Sequence, residues 1–485
     1  MRRPMLTWGG FLLLFSLAFL SAPCILFPAD VERRPSALIN SPVPYYHTYN
    51  LTSMFPLRPP SLAQAEGAGA GAKAVLTLDE CITRALERNP GYGKVQESLR
   101  AAASDIVNAW GNFMPNMSAS YGLSQGNFTQ AYVDAAGNLR FSGGISKSSS
   151  GNISLNFTLF DRATHYFEMK NARYLRDQRR SDLRNSELDL VDQVRRAYFN
   201  TLRQQKLLLS GENLAGQRRE QLKLAEARFS VGSVTKLDVL QAQIDLKKQE
   251  MNIVLYQNNL KTAKMELIRL MSGNLVDDFD LADEFTVREV NFDVNALVTE
   301  AEKNHPQLKS LNFQIKQSEG NLWMGRLSYL PSLRTNTSYQ RTEDGLHLTP
   351  RRNKGRNIGF SMYWNILDGF DRFKQNRYAE MNLNNLHYDF AAQQLVVEKA
   401  VRDSYNELIR IYRNSQTLSE NKELASQSLN LLQERYRLGS ANILELRQAQ
   451  VDFADAEVQY INSIYDFHSA ISTLSHSVGR DLSQP

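Results

Sequence analysis

Apolar residues follow two alternating rhythms along this chain. From Thr77 they keep a helical period, and Thr77 with Glu80 forms a capping-box pattern that starts the first helix. That rhythm runs to Pro90, resumes, and stops near Pro115. The period then drops to two, with Met117, Ala119, Tyr121 and Leu123 alternating with small or polar residues. After a polar, glycine-rich stretch, Ile153, Leu155, Phe157 and Leu159 alternate with Asn152, Ser154, Asn156 and Thr158. Such alternation predicts strands with one face against something oily and the other against water. Asp161 begins a second helical pattern that reaches Val231, roughly 105 Å of helix at 1.5 Å per residue.

That helix ends in a motif that occurs twice. Residues 228–246 and 435–453 align at a constant offset of 207, so Gly232 answers to Gly439, Asp238 to Glu445, and Gln241-Ala242-Gln243 to Gln448-Ala449-Gln450. Glycine after a periodic run marks a helix C-terminus, because only glycine takes a left-handed backbone cheaply. The Ser or Thr that follows supplies a cap for the next helix. Each copy is the tip of a long helical hairpin. Along the first returning helix, to about Gly273, Val239, Leu246, Ile253, Leu260 and Leu267 recur every seven residues. The second returning helix has Leu446, Phe453, Tyr460, Phe467 and Leu474 at the same places, with a small-residue seam of Ala449, Ala456, Ser463, Ala470 and Ser477. A sustained seven-residue repeat predicts coiled-coil packing along the hairpins.

An acidic connector, Leu275 to Glu289, separates this half from a replay of it. Asn304-His305-Pro306 matches Asn89-Pro90 in role, and Pro331 matches Pro115 at an offset of 216. Strands are predicted near Leu333–Tyr339 and Ile358–Ile366, the latter with Ile358, Phe360, Met362, Trp364 and Ile366 as its apolar face. Asp368 restarts the helix at an offset of 207 from Asp161. The first β-hairpin is therefore nine residues longer, an insertion expected at its loop tip.

Four strands cannot close a membrane barrel, which starts at about eight. An open edge in lipid strands its N–H and C=O groups at several kcal/mol each. The chain must therefore oligomerise or keep its strands out of the bilayer. No later stretch has eighteen continuous apolar residues, so transmembrane helices are not expected. Arg2 and Arg3 before the apolar run Phe11–Leu20 read as a secretory signal within 1–29, with Ala22 or Ala29 at the cleavage point. Leu20 to Cys24 half-resembles a lipoprotein box, but Pro23 spoils the match. Residues 30–75, rich in Pro, Ser, Ala and Gly, read as a flexible linker.

Composition narrows the function further. A formal charge of +5 over 485 residues gives no basic stripe for nucleic acid. The cysteines are Cys24 and Cys81, which allows the mature chain no intrachain disulfide and fits no structural zinc. The seven histidines form no His-Glu-x-x-His pattern, and His468 and His476 are expected on helix faces. No phosphate loop, metal cluster or nucleophile elbow is visible, so no enzyme and no cofactor are expected. A soluble periplasmic coiled-coil adaptor or scaffold is the alternative; it would need no lipid-facing strands.

The Gly-Ser tips, the Asn-Pro and Leu-Pro punctuation, the Phe-Asp and Leu-Asp helix starts and the repetition resemble the TolC family of outer-membrane efflux factors over about residues 76–480. The resemblance implies an α+β membrane protein with an internal duplication. Residues 76–273 would form one repeat, 274–291 a connector, 292–480 the second repeat and 481–485 a tail. It implies a homotrimer whose shared twelve-stranded barrel spans the outer membrane and whose helices form a periplasmic tunnel. Its partners would be outer-membrane lipid, a periplasmic adaptor and an inner-membrane transporter, either proton-driven (RND) or ATP-driven (ABC). The chain would be a passive conduit for drugs, metals or polypeptides.

Candidate site residues follow from both readings. Val231, Gly232 and Ser233, with Leu438, Gly439 and Ser440, are tight turns or, given apolar Val231 and Leu438, adaptor-docking tips. The resemblance places a pore-facing carboxylate at Glu445; three copies would ring a narrow opening, favouring cations. Gln448 stands where a second acid is often found, and Ala441 where some members have a gate-holding arginine. Asp238 would lack that partner, with Arg447 or Lys236 as substitutes, and Tyr436 is either a gate hydrogen-bonder or packing. Tyr121, Phe157, Phe160, Tyr339, Phe360 and Trp364 form an interfacial girdle or a soluble sheet core. The basic run Arg351–Arg356 is expected in a loop between strands, solvated or touching anionic headgroups or surface sugars.

Overall fold

The computed structural model describes residues 74–482, apart from 274–278, 283–286, 290–291 and 345–351. The signal segment, Cys24, nearly all of the linker, Arg351 and residues 483–485 of the tail lie outside the described residues. The chain runs β1 (Ala74–Leu76), α1 (Leu78–Arg88), α2 (Pro90–Gly111), β2 (Asn116–Val133), β3 (Leu139–Phe160), α3 (Thr164–Ser230) and α4 (Lys236–Met271). It continues as β4 (Phe279–Leu281), α5 (Val294–Asn304), α6 (Pro306–Leu327), β5 (Ser332–Asp344), β6 (Arg352–Tyr363), α7 (Asp371–Arg437) and α8 (Ile443–Val478). The helices of each half measure 11, 22, 67 and 36 residues in the same order.

Local chemistry explains the boundaries. Thr77 and Glu80 close the expected capping box on α1. The break at Pro90 is capped by Asn89, whose side chain accepts from Gly91 and Tyr92 N–H; at Pro306 the imidazole of His305 does the same for Gln307 N–H. Proline at the first helical position loses no intrahelical bond, so the chain bends there and continues. Helix α7 contains neither Gly nor Pro, and α3 only Gly211 and Gly216. At 1.5 Å per residue each 67-residue helix is about 100 Å long. Gly211 lets α4 approach closely, for a Cβ there would meet the Tyr256 ring at 3.1 Å, and Gln249 Nε2 donates to its carbonyl.

The heptad seams pack as their period requires. Val239, Leu267, Leu446, Phe467 and Leu474 are buried, and so is the whole small-residue seam from Ala449 to Ser477. One core gathers α1, α3, α4, β1 and β4 around Tyr198, whose hydroxyl donates to Ala282 and Leu76 carbonyls. Its counterpart gathers α5, α7 and α8 around Val401, Leu408 and Leu474. A third, at the tips, holds Leu429, Leu446 and Ala449.

Several expectations need correction. The linker gives way to strand at Ala74, because β1 pairs in parallel with β4, a strand inside the acidic connector. The tail is docked through Leu482: Asp481 pairs with buried Arg195, and Leu482 is itself buried. The glycine-rich stretch after Leu123 is strand, so the nine extra residues lengthen the β2–β3 ladder rather than a loop. Strand β6 begins at Arg352 and ends at Tyr363, which puts Arg352–Arg356 in the ladder and Trp364 and Ile366 beyond it. The caps of α4 and α8 are Thr235 and Asn442; Ser440 closes the preceding turn instead.

Candidate functional site

The four long strands form one curled antiparallel sheet in the order β2-β3-β5-β6. Residues paired across a ladder share a face. The register therefore aligns Met117, Leu155, Thr337 and Ile358 in one row, and Ala119, Ile153, Tyr339 and Arg356 in the next. Phe157, Thr335 and Phe360 make a third row; a bulge at Leu159 brings Phe160, Leu333 and Met362 into a fourth. Between these rows the opposite face is polar: Asn116, Asn156, Asn336 and Gly359, then Ser118, Ser154, Ser338 and Asn357, then Ser120, Asn152, Gln340 and Gly355. Ser118 and Ser154 hydroxyls meet at 2.8 Å on it, Ser124 and Ser148 at 2.7 Å.

Tyr121 and Tyr339 thus lie on the apolar face toward the hairpin turns, while Phe157, Phe160 and Phe360 lie on it toward the helices. Trp364 sits just past β6, its indole N–H donating to the Tyr329 carbonyl at 3.0 Å. Tyr121 and Phe360 are each 72% exposed, which an apolar ring in a water-facing sheet would not favour. Strands β2 and β6 are both edges, each with a row of unpaired backbone groups.

At the far end of the helices the two tips close alike. Gly232 and Gly439 have φ of +74° and +77°. Gly232 N–H donates to Phe229 and Ser233 N–H to Arg228; Gly439 donates to Tyr436 and Ser440 to Arg435. These are paired Schellman bonds, reinforced by the hydroxyls of Ser233 and Ser440 on the same carbonyls. Val231 and Leu438 stand 76% and 72% exposed at the apices.

Beyond the turns the copies diverge. Asp238 completes a capping box, accepting from Thr235 N–H and hydroxyl at 2.8 Å, and these hydrogen bonds hold its carboxyl below the usual range. Its counterpart Glu445 is exposed and makes no hydrogen bond or ion pair among the described residues, because Asn442 caps α8 alone. Gln448 donates to Asp452 at 2.8 Å. Tyr436 packs beside the tip core under the Arg228 guanidinium, 4.8 Å from its ring centre.

The hairpins are also tied to each other. Arg447 of α8 pairs with Asp245 of α4 at 3.0 Å, not with Asp238 as sequence reasoning allowed. Arg218 of α3 is buried and donates to Gln450 of α8. Burial depresses the Arg218 pKa, and the Asp245 carboxylate opposes that shift. A groove of about 790 Å³ between the hairpins is walled by Gln217, Leu224, Leu237, Tyr436 and Leu444 among others. The clasp went unseen in the sequence because its partners are about two hundred residues apart and carry no shared motif.

The remaining candidates are structural. Cys81 is buried, which pushes its thiol up to about 12. His468 stacks on Phe199 at 5.1 Å, and burial lowers its pKa to about 4. His476 bonds Asp189 at 2.6 Å, which raises its pKa.

Residues 81–273 and 297–480 match the family described as outer membrane efflux protein. The chain belongs to that family. TolC of Escherichia coli K12 is 24% identical over 457 residues, 88% of this chain and 87% of that protein. BepC of Brucella suis biovar 1 is 20% identical over 404 residues, 83% and 85% of the two chains. The CmeC channel of Campylobacter jejuni superposes with a TM-score of 0.73 at 14% identity, covering 93% of this chain and 96% of CmeC. The open state of the Neisseria gonorrhoeae MtrE channel gives 0.65 at 15% identity over 84% and 89%. Such likenesses carry the fold. As an outer membrane efflux protein, the chain resides in the outer membrane with its helical hairpins in the periplasm.

Proposed function

We propose that this protein is the outer-membrane duct of a tripartite efflux or type I secretion assembly. Three copies close a twelve-stranded barrel, and two duplicated halves per chain supply its helical tunnel. The observation that carries this reading is the four-stranded sheet with one apolar and one polar face and two open edges. In hydrocarbon every unpaired backbone group costs several kcal/mol, so β2 of one copy must meet β6 of the next. The polar rows of Ser, Asn and Gly then line water, and the apolar rows meet lipid. The Tyr and Phe rows at the two ends of the apolar band form its interfacial girdles.

Conduction is passive, with the polar rows of Ser, Asn and Gly offering hydrogen bonds to a passing solute. The exposed tips and the groove between hairpins receive a periplasmic adaptor, which couples the duct to an inner-membrane transporter. Glu445, left free by its neighbour's capping, supplies the carboxylate ring near the periplasmic mouth.

Size measurement in detergent together with cysteine cross-linking tests the reading. Cysteines placed on the outer edges of β2 and β6 should lock the protein into a covalent trimer. A stable monomer that needs no detergent refutes it.

A further inference from the structure

The apolar rows end asymmetrically. Toward the helices the face finishes on Phe160, Leu333 and Met362, with no charged strand residue. Toward the hairpin turns β5 and β6 become charged, with Arg356 opposite Tyr339 and Lys354 opposite Arg341; Lys147 joins them on β3, which with β2 runs on to Ile145, Phe141 and Leu139. Two residues along a strand span about 7 Å and neighbouring strands lie about 4.8 Å apart, so Arg341, Lys354 and Arg356 share a patch the size of a phosphate pair. Like charges directly opposite in a ladder are destabilising, and Arg341 faces Lys354. Arg341 leans onto Glu343 at 2.9 Å, but Lys354 and Arg356 are exposed and have no ion-pair partner among the described residues.

Beside the patch the same face is hollow. Gly151 and Ser149 floor a depression of about 500 Å³ walled by Tyr121, Tyr339, Arg341 and Glu343. A depression on a lipid-facing surface is filled by lipid, since neither vacuum nor isolated water is stable there.

We propose that this hollow and its basic rim bind a phosphate-bearing glycolipid headgroup of the outer leaflet. The helices lie in the periplasm, so the hairpin-turn end of the sheet faces the cell exterior. The Lys354 and Arg356 side chains engage the lipid's phosphates, and the Tyr121 and Tyr339 rings flank its sugar–acyl junction. The inference requires placement in the outer membrane and is independent of what the duct exports.

The test titrates the full-length protein in nonionic detergent with bis-phosphorylated lipid A and with the same lipid stripped of both phosphates. At about fivefold for each Lys or Arg near an anionic surface, the wild type should prefer the phosphorylated lipid roughly twenty-fold. Lys354→Gln with Arg356→Gln should abolish that preference, and Lys354→Arg with Arg356→Lys should keep it. Gly151→Val, whose Cβ meets only the Tyr121 ring at 3.7 Å, should fill the hollow and weaken both lipids. Equal wild-type affinity for the two lipids overturns the proposal in favour of sugar or acyl contact, and needs no variant to fold. An unchanged preference in the Gln variant also overturns it. So does full competition by millimolar inorganic phosphate, which would mean a free-phosphate site.

Discussion

Replacing Asp245 by Asn should loosen the two hairpins at their periplasmic end. Asp245 serves two cations: it pairs with Arg447 at 3.0 Å, and its field supports Arg218, buried beneath Gln450. The substitution keeps volume and removes the charge. Exposed ion pairs contribute about 0–1 kcal/mol, whereas stranding one partner of a buried pair costs about 3–5. The Asp245 side chain is 14% exposed and that of Arg447 33%, so the loss falls between these limits, at about 2 kcal/mol. If the clasp opposes parting of the tips, the closed-to-open ratio falls about thirty-fold, at roughly tenfold per 1.4 kcal/mol. Single-channel recording in planar bilayers reads that ratio. Asp245→Asn and Arg447→Gln should each raise conductance, and the double variant should not exceed Asp245→Asn alone, which already removes the shared pair together with the support of Arg218. Additive effects of the two changes would refute the clasp. So would unchanged conductance in a variant whose melting temperature has dropped.

Other consequences are open to simpler measurements. Gly439→Trp forces a side chain onto a left-handed backbone at an exposed apex; assemblies should still form in detergent while export of a dye substrate stops, and normal export would remove docking from that tip. Phe360→Arg puts a charge on the apolar face at about 2–4 kcal/mol, so assembly into membranes should fail, whereas Ser361→Arg on the polar face should assemble; equal yields would contradict the assignment of faces. Asp189 raises the pKa of His476, so their bond adds stability that is complete below about pH 6.5, the unfolded value, and is lost as pH rises through the higher folded one. Asp189→Asn should therefore lower the melting temperature more at pH 5.5 than at pH 9, and a pH-independent difference would rule the linkage out.

Repetition made much of this protein legible from its residues alone. The heptads that bury Val239, Leu267 and Leu474, the glycines that close both tips, and the alternation at Met117–Leu123 and Ile153–Leu159 are local and periodic. Each therefore names its own element and face. What lacked a period was missed: the Gly- and Ser-rich extension of β2 and β3 reads as loop until its eighteen-pair ladder is seen. Function-bearing contacts depend on which distant segments meet. The partner of Arg447 is Asp245 rather than Asp238, because α4 and α8 meet at one rotational setting that neither helix encodes alone. Likewise the run from Arg352 to Arg356 could face water or lipid until its pairing with Tyr339 to Glu343 put Lys354 and Arg356 on the apolar face. Lys354 and Arg356 share the parity of Ile358, Phe360 and Met362, but that parity assigns a face only once the segment is strand, and the ladder to β5 made it so.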